Sequence, residues 1–151
     1  MRVGAFLARL LLGSGTLKPE LRAALEAVGL VLIEEGLSGS LRYKRFRAPG
    51  RRFHGKVTGE RIAIGVSEER LVVYCRSGRV KLIDTPFASP RLSMVDISLR
   101  GDDTVAFRIN YDRAELPKVS GEITIVARTR NAANIVDELH ARMRPEAGRA
   151  P

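Results

Sequence analysis

Between Arg42 and Lys56 the chain carries seven cations, Arg42, Lys44, Arg45, Arg47, Arg51, Arg52 and Lys56, and no acid. Tyr43, Phe46 and Phe53 are interleaved with them. Guanidinium and ammonium groups attract phosphates, and aromatic rings among them add base stacking or insertion into a lipid interface, so this segment is the expected ligand-binding site. The competing reading is a solvated, arginine-rich edge that keeps a strand from pairing with other molecules. The whole chain has a net charge of +9. Residues 1–56 hold 11 Lys and Arg against 4 acids, whereas residues 57–151 hold 15 against 13, so the excess is local.

The other reactive side chains do not assemble into a site at sequence level. His54 and His140 are the only histidines, and neither has a Cys or carboxylate at ligand spacing. Both are expected to be solvated, and no metal is expected. Gly13-Ser14-Gly15 lacks the Lys-Ser/Thr pair of a phosphate loop, and no nucleophile turn is present. Gly101-Asp102-Asp103 reads as a turn between strands rather than a pair of metal ligands. A lone cysteine, Cys75, excludes an internal disulfide and falls inside an apolar strand, where it serves as a small core residue. No catalytic residue, no cofactor and no enzymatic activity are therefore expected.

The elements that must position the basic segment are mostly strands. Ile62, Ile64 and Val66 alternate on one face, as do Leu71, Val73 and Cys75, and the polar tetrad 67–70 between them makes a hairpin. Leu30 to Glu34 forms a short strand closed by Gly36. Residues 37–47 form another, with Ala48-Pro49-Gly50 as its turn. Residues 80–83 add a strand, and 84–90 read as loop because two prolines oppose a central strand. Val95, Ile97 and Leu99 alternate, followed by Val105, Phe107, Ile109 and Tyr111. Residues 112–119 are loop, and Ile123, Ile125 and Ala127 line the last strand. A closing helix over 130–143, with Thr129 or Asn131 as its N-cap, puts Ala132, Ile135, Val136, Leu139 and Met143 on one face.

Counting from Leu41, the order is seven strands and then one amphipathic helix. Residues 59–74, reading GERIAIGVSEERLVVY, resemble a hairpin of the pleckstrin-homology-like superfamily, in which Ser or Thr and Arg-Leu sit between two apolar strands. Tyr43 through Arg52 is similar to the first strand and loop of uncharacterised bacterial members. The resemblance implies an α+β, mainly β fold: a seven-stranded orthogonal β-sandwich or barrel capped by a C-terminal helix. It also implies a binding module rather than an enzyme. In lipid-binding members the loop between the first two strands presents basic side chains to a phosphorylated headgroup, and Arg51, Arg52 and Lys56 would occupy the corresponding region.

Ahead of the barrel, residues 2–12 place Phe6, Leu7, Leu10 and Leu11 at helical spacing with Arg2 and Arg9 opposite. A second helix starts near Pro19, carries Leu21, Ala24, Leu25 and Val28 as its stripe, and ends at Gly29. The expected organisation is a helical extension over 1–36, the barrel with its capping helix over 37–144, and a flexible tail over 145–151. Two stripes exceed what one small barrel can cover, so Phe6, Leu7, Leu10 and Leu11 are candidate interface residues for a protein partner or a homo-oligomer. An anionic membrane surface is the partner expected for the basic segment, with nucleic acid as the alternative. Arg9 interrupts the apolar run at 3–12, which argues against a signal peptide, and no run is long enough to span a bilayer. The expected place is the cytoplasm, peripherally at the inner face of the membrane.

Overall fold

The computed structural model describes residues 19–75, 80–114 and 116–143. The fold is mainly antiparallel β-structure with a helix at the C-terminal end. Among the described residues there are two α-helices, α1 (Pro19–Ala27) and α2 (Ala132–Met143), and two short 3-10 helices, η1 (Pro90–Met94) and η2 (Tyr111–Ala114). The strands are β1 (Leu30–Ala48), β2 (Arg51–Phe53), β3 (Val57–Ser67), β4 (Arg70–Cys75), β5 (Val80–Pro86), β6 (Val95–Arg100), β7 (Thr104–Asn110) and β8 (Ser120–Arg128). The interface candidates Phe6, Leu7, Leu10 and Leu11, and the tail beyond residue 143, lie outside the described residues. No helix among the described residues is long and apolar enough to cross a membrane.

The described residues fall into two compact units, one within 19–39 and 59–88 and the other within 40–58 and 89–143. In the first, the hydrogen-bonded order is β5-β4-β3-β1. The β3–β4 hairpin pairs Ile62 with Cys75, Ile64 with Val73 and Val66 with Leu71, so the alternation expected from the sequence falls on one face. Residues 62–67 are nevertheless buried on both faces. The second face is covered by α1, whose Leu25 is fully buried against Ala63 and Val72, with Leu21, Ile33 and Tyr74 packed around them. The stripe of α1 is thus partly spent on its own unit, although Ala24, expected in that stripe, is exposed. Gly29, at φ 82, ends the helix as the sequence implies, and its carbonyl accepts the Glu68 N–H at 2.8 Å.

Several boundaries differ from the sequence reading: Tyr111, expected at the end of a strand, begins η2, and residues 51–53 form a strand of their own. Gly36 does not close a strand; at φ 67 it sits inside β1, because glycine can take a left-handed conformation as a local kink without ending the pairing on either side. The strand after residue 80 also does not stop at 83, and it runs to Pro86, which lies opposite Arg70. Proline is tolerated there because β5 is the last strand in the order, so one side of its backbone needs no ladder partner.

The second unit contains the C-terminal part of β1, with β2 paired to it, and the order β1-β8-β7-β6. Its apolar rows run across three strands: Val95, Ile109 and Ile123, then Ile97, Phe107 and Ile125, then Leu99, Val105 and Ala127. The third row ends at the surface, where Leu99 is exposed. α2 lies over β6 and β7 and buries Ala132, Ile135, Val136 and Leu139, while Met143 is half-buried. The Asn131 carbonyl accepts the Ile135 N–H at 2.9 Å, and the Thr129 hydroxyl accepts the Asn131 N–H at 3.1 Å, so both expected residues share the helix start. His140 is not the solvated side chain expected. It is half-buried, and its Nε2–H donates to the Ile97 carbonyl at 2.7 Å, tying the last turns of α2 to β6.

Since Leu139 is fully buried, Leu139→Ala is expected to lower the unfolding free energy by about 2–5 kcal/mol in urea titration. A change under about 1 kcal/mol would mean that α2 is not packed as described.

Candidate functional site

The seven cations of the basic segment lie in the second unit, on β1, β2 and the short run that follows. Ala48-Pro49-Gly50-Arg51 joins β1 to β2, and Pro49 followed by Gly50 at φ 73 fits a type II turn. β2 pairs back in register: Phe46 opposite Phe53, Arg47 opposite Arg52, and Ala48 opposite Arg51. Beyond β2 the Gly55 N–H donates to the Tyr43 carbonyl at 2.9 Å and the Tyr43 N–H to the Lys56 carbonyl at 2.9 Å, which extends the pairing to the last cation.

Arg45 decides which side chain faces where. It is the only non-glycine residue with positive φ among the described residues, at 50°. Strict alternation from Leu41 and Tyr43 would put Arg45 inside and Phe46 outside. The left-handed residue inserts one extra step, so Lys44 and Arg45 are both exposed and Phe46 is buried. The three-residue spacing from Tyr43 to Phe46 was the visible trace of this irregularity.

Two further contacts hold the kink. Gly121, at φ 88, lies against it so closely that a Cβ there would stand 2.2 Å from the Arg45 carbonyl oxygen and 2.8 Å from that of Lys44. Only glycine fits. Its N–H donates to Asp112 Oδ1 at 3.0 Å, which anchors the glycine to η2. On the hairpin side, the Arg45 N–H donates to His54 Nδ1 at 3.1 Å. His54 is exposed, as expected, yet its ring is engaged with the backbone of the kink. The sequence held no sign of the roles of His54, Gly121 or Tyr111.

The aromatic side chains meet one another. Tyr43 lies 5.5 Å from Phe46 and 5.0 Å from Phe53 between ring centroids, and Phe46 and Phe53 stack at 6.4 Å with an interplanar angle of 11°. Tyr111 of η2 closes the group at 5.7 Å from Phe46. Burial among these rings, with Tyr43 beside it, pushes the Tyr111 phenol above its ordinary range. Lys56 Nζ sits 4.1 Å from the Phe53 ring centroid, a cation–π contact.

Arg42, Lys44, Arg45, Arg47, Arg51, Arg52 and Lys56 are all exposed. No ion pair is formed by any of them among the described residues, although Arg108 and Arg113, elsewhere in the unit, share Asp96 at 3.0 and 3.1 Å. Arg47 and Arg52 stand directly opposite each other on one face, an arrangement that is repulsive unless an anion lies between or above them. Among the described residues no group of three His, Cys, Asp or Glu is placed to hold a metal ion. The chain matches no protein-family model and no curated protein sequence.

Two outcomes follow. Gly121→Ala must push the Arg45 carbonyl away and strain its own backbone, so it should lower the thermal midpoint and shift the Arg45 and His54 NMR signals. An unperturbed spectrum around residues 44–46 would contradict the tight seating. The second outcome concerns Asp96, whose carboxyl is held below its usual range chiefly by the hydrogen bond from Arg113, with Arg108 adding to it. A depressed carboxyl contributes stability above its unfolded value, near 4, and loses it as pH falls through the folded value. Asp96→Asn should therefore narrow the stability gap between wild type and variant as pH drops from 5 to 2, read by acid titration of the unfolding midpoint.

Proposed function

We propose that this chain is a non-catalytic, pleckstrin-homology-like binding module that docks on anionic lipid headgroups through the basic hairpin, residues 42–56. The fold supports the reading through its order: a run of antiparallel strands, a second antiparallel run, and then one amphipathic helix packed on β6 and β7. The resemblance of residues 59–74 to that superfamily points the same way.

The observation that carries the proposal is the sorting of side chains in the hairpin. Seven cations are exposed and lack ion pairs among the described residues, while Tyr43, Phe46 and Phe53 pack on each other and on Tyr111. A single-stranded nucleic acid site needs rings free to take bases. Here Phe46 is buried and the other two rings are half-covered, which favours a surface of anionic headgroups met by charge alone. The cytoplasmic leaflet is such a surface, and each nearby Lys or Arg contributes about 1 kcal/mol to binding it.

Replacing Arg51, Arg52 and Lys56 together with Gln should weaken binding to vesicles rich in phosphatidylglycerol by about a hundredfold at low salt, following that contribution per charge. The thermal midpoint should stay nearly unchanged, because exposed charges without ion pairs add little to stability. Cosedimentation measures the first and calorimetry the second. No binding of the wild-type protein to anionic vesicles at low ionic strength would overturn the proposal. So would binding to single-stranded oligonucleotides that is lost on Phe53→Leu while the cations remain.

A further inference from the structure

We infer that His54 makes the basic hairpin respond to pH, tightening its hold on phosphate-bearing surfaces as the imidazole takes up a proton; the inference rests on the hairpin being the anion-binding site. In the structure His54 Nδ1 accepts the Arg45 N–H at 3.1 Å, so the ring is neutral, with its proton on Nε2. The bond falls on the one residue that sets the sorting of the hairpin, Arg45 at φ 50. A protonated imidazole carries hydrogen on both nitrogens and cannot accept that N–H. It must turn away from the kink, and once released it presents two N–H donors and a positive charge beside the other cations.

The groups around the ring fix the sign. On β1 these are Arg42, Lys44, Arg45 and Arg47, with the Tyr43 phenol; on its own hairpin arm they are Arg51, Arg52 and Lys56. From the elements packed against the kink come Glu122 of β8, next to Gly121, and Tyr111 and Asp112 of η2, with Asp112 Oδ1 already taken by the Gly121 N–H. Cations outnumber carboxylates here, so the local field is positive. A bound layer of phosphates reverses that field, and by linkage anything that favours the protonated ring when bound must itself bind better to the protonated ring. The kink does not collapse when His54 leaves, because Gly121 still holds the Arg45 carbonyl from the other side. Imidazole is the side chain whose ordinary titration lies between pH 5 and 8, where the permanent cations do not change.

The test compares wild type with His54→Asn, whose Oδ1 keeps an acceptor near the position of Nδ1 but does not titrate. Binding to phosphatidylglycerol vesicles, whose phosphates stay ionised, is measured at pH 7.5 and pH 5.5 at one ionic strength. Wild type should bind about fivefold more tightly at the lower pH, the gain expected for one added charge at an anionic surface. The variant should show a ratio near one, although its other histidine, His140, is intact. In the free wild-type protein, the Arg45 amide resonance should move with the titration of the His54 ring. Equal ratios for both proteins, or an Arg45 amide blind to that titration, would overturn the inference and leave the binding site standing. Absence of wild-type binding at both pH values would bring down the binding site and the inference together.

Discussion

The close seating of the Arg45 carbonyl on Gly121 is the constraint from which the hairpin takes its character. A strand that kept its period of two through this point would bury Arg45 and expose Phe46. Burying an unpaired guanidinium is far more costly than tolerating one left-handed residue, which costs on the order of 1–3 kcal/mol. The kink resolves the conflict. It needs a partner backbone without a side chain, which Gly121 supplies, and the freed Arg45 N–H donates to His54.

Once the kink is in place, the two faces of the hairpin have different work. One face carries the rings of Tyr43, Phe46 and Phe53, which pack with Tyr111 and fix the hairpin to its own unit. The other exposures carry charge. Seven cations held this close repel each other, most plainly at the Arg47–Arg52 pair, and the aromatic packing is what offsets that repulsion in the free protein. On the proposed reading, anion binding would remove a repulsion as well as add an attraction.

Much of this architecture was legible in the sequence, for identifiable reasons. The rows Val95–Ile109–Ile123 and Ile97–Phe107–Ile125 come from period-two alternation that no bulge disturbs, and the buried face of α2 comes from helical spacing of Ile135, Val136 and Leu139. The basic segment was visible because charge needs no fold to be counted. What escaped were features made by residues distant in sequence. Gly121 shows no role until the Arg45 carbonyl is brought against it, and His54 and His140 read as solvated until backbone groups reach their rings. Gly36 and Pro86 misled for the opposite reason, since local chemistry that commonly ends a strand was absorbed by a kink in one case and an edge position in the other. The sequence shows that the aromatics alternate with cations but not that they meet each other.

The most direct test of the account is residue-resolved NMR of the backbone amides during titration with bicelles, comparing phosphatidylglycerol-containing with purely zwitterionic ones. Side chains sorted as described predict shifts centred on residues 42–56 with the anionic bicelles, fading as salt is raised, and none with the zwitterionic ones. Shifts of equal size on both surfaces, or shifts centred elsewhere while residues 42–56 stay still, would contradict it.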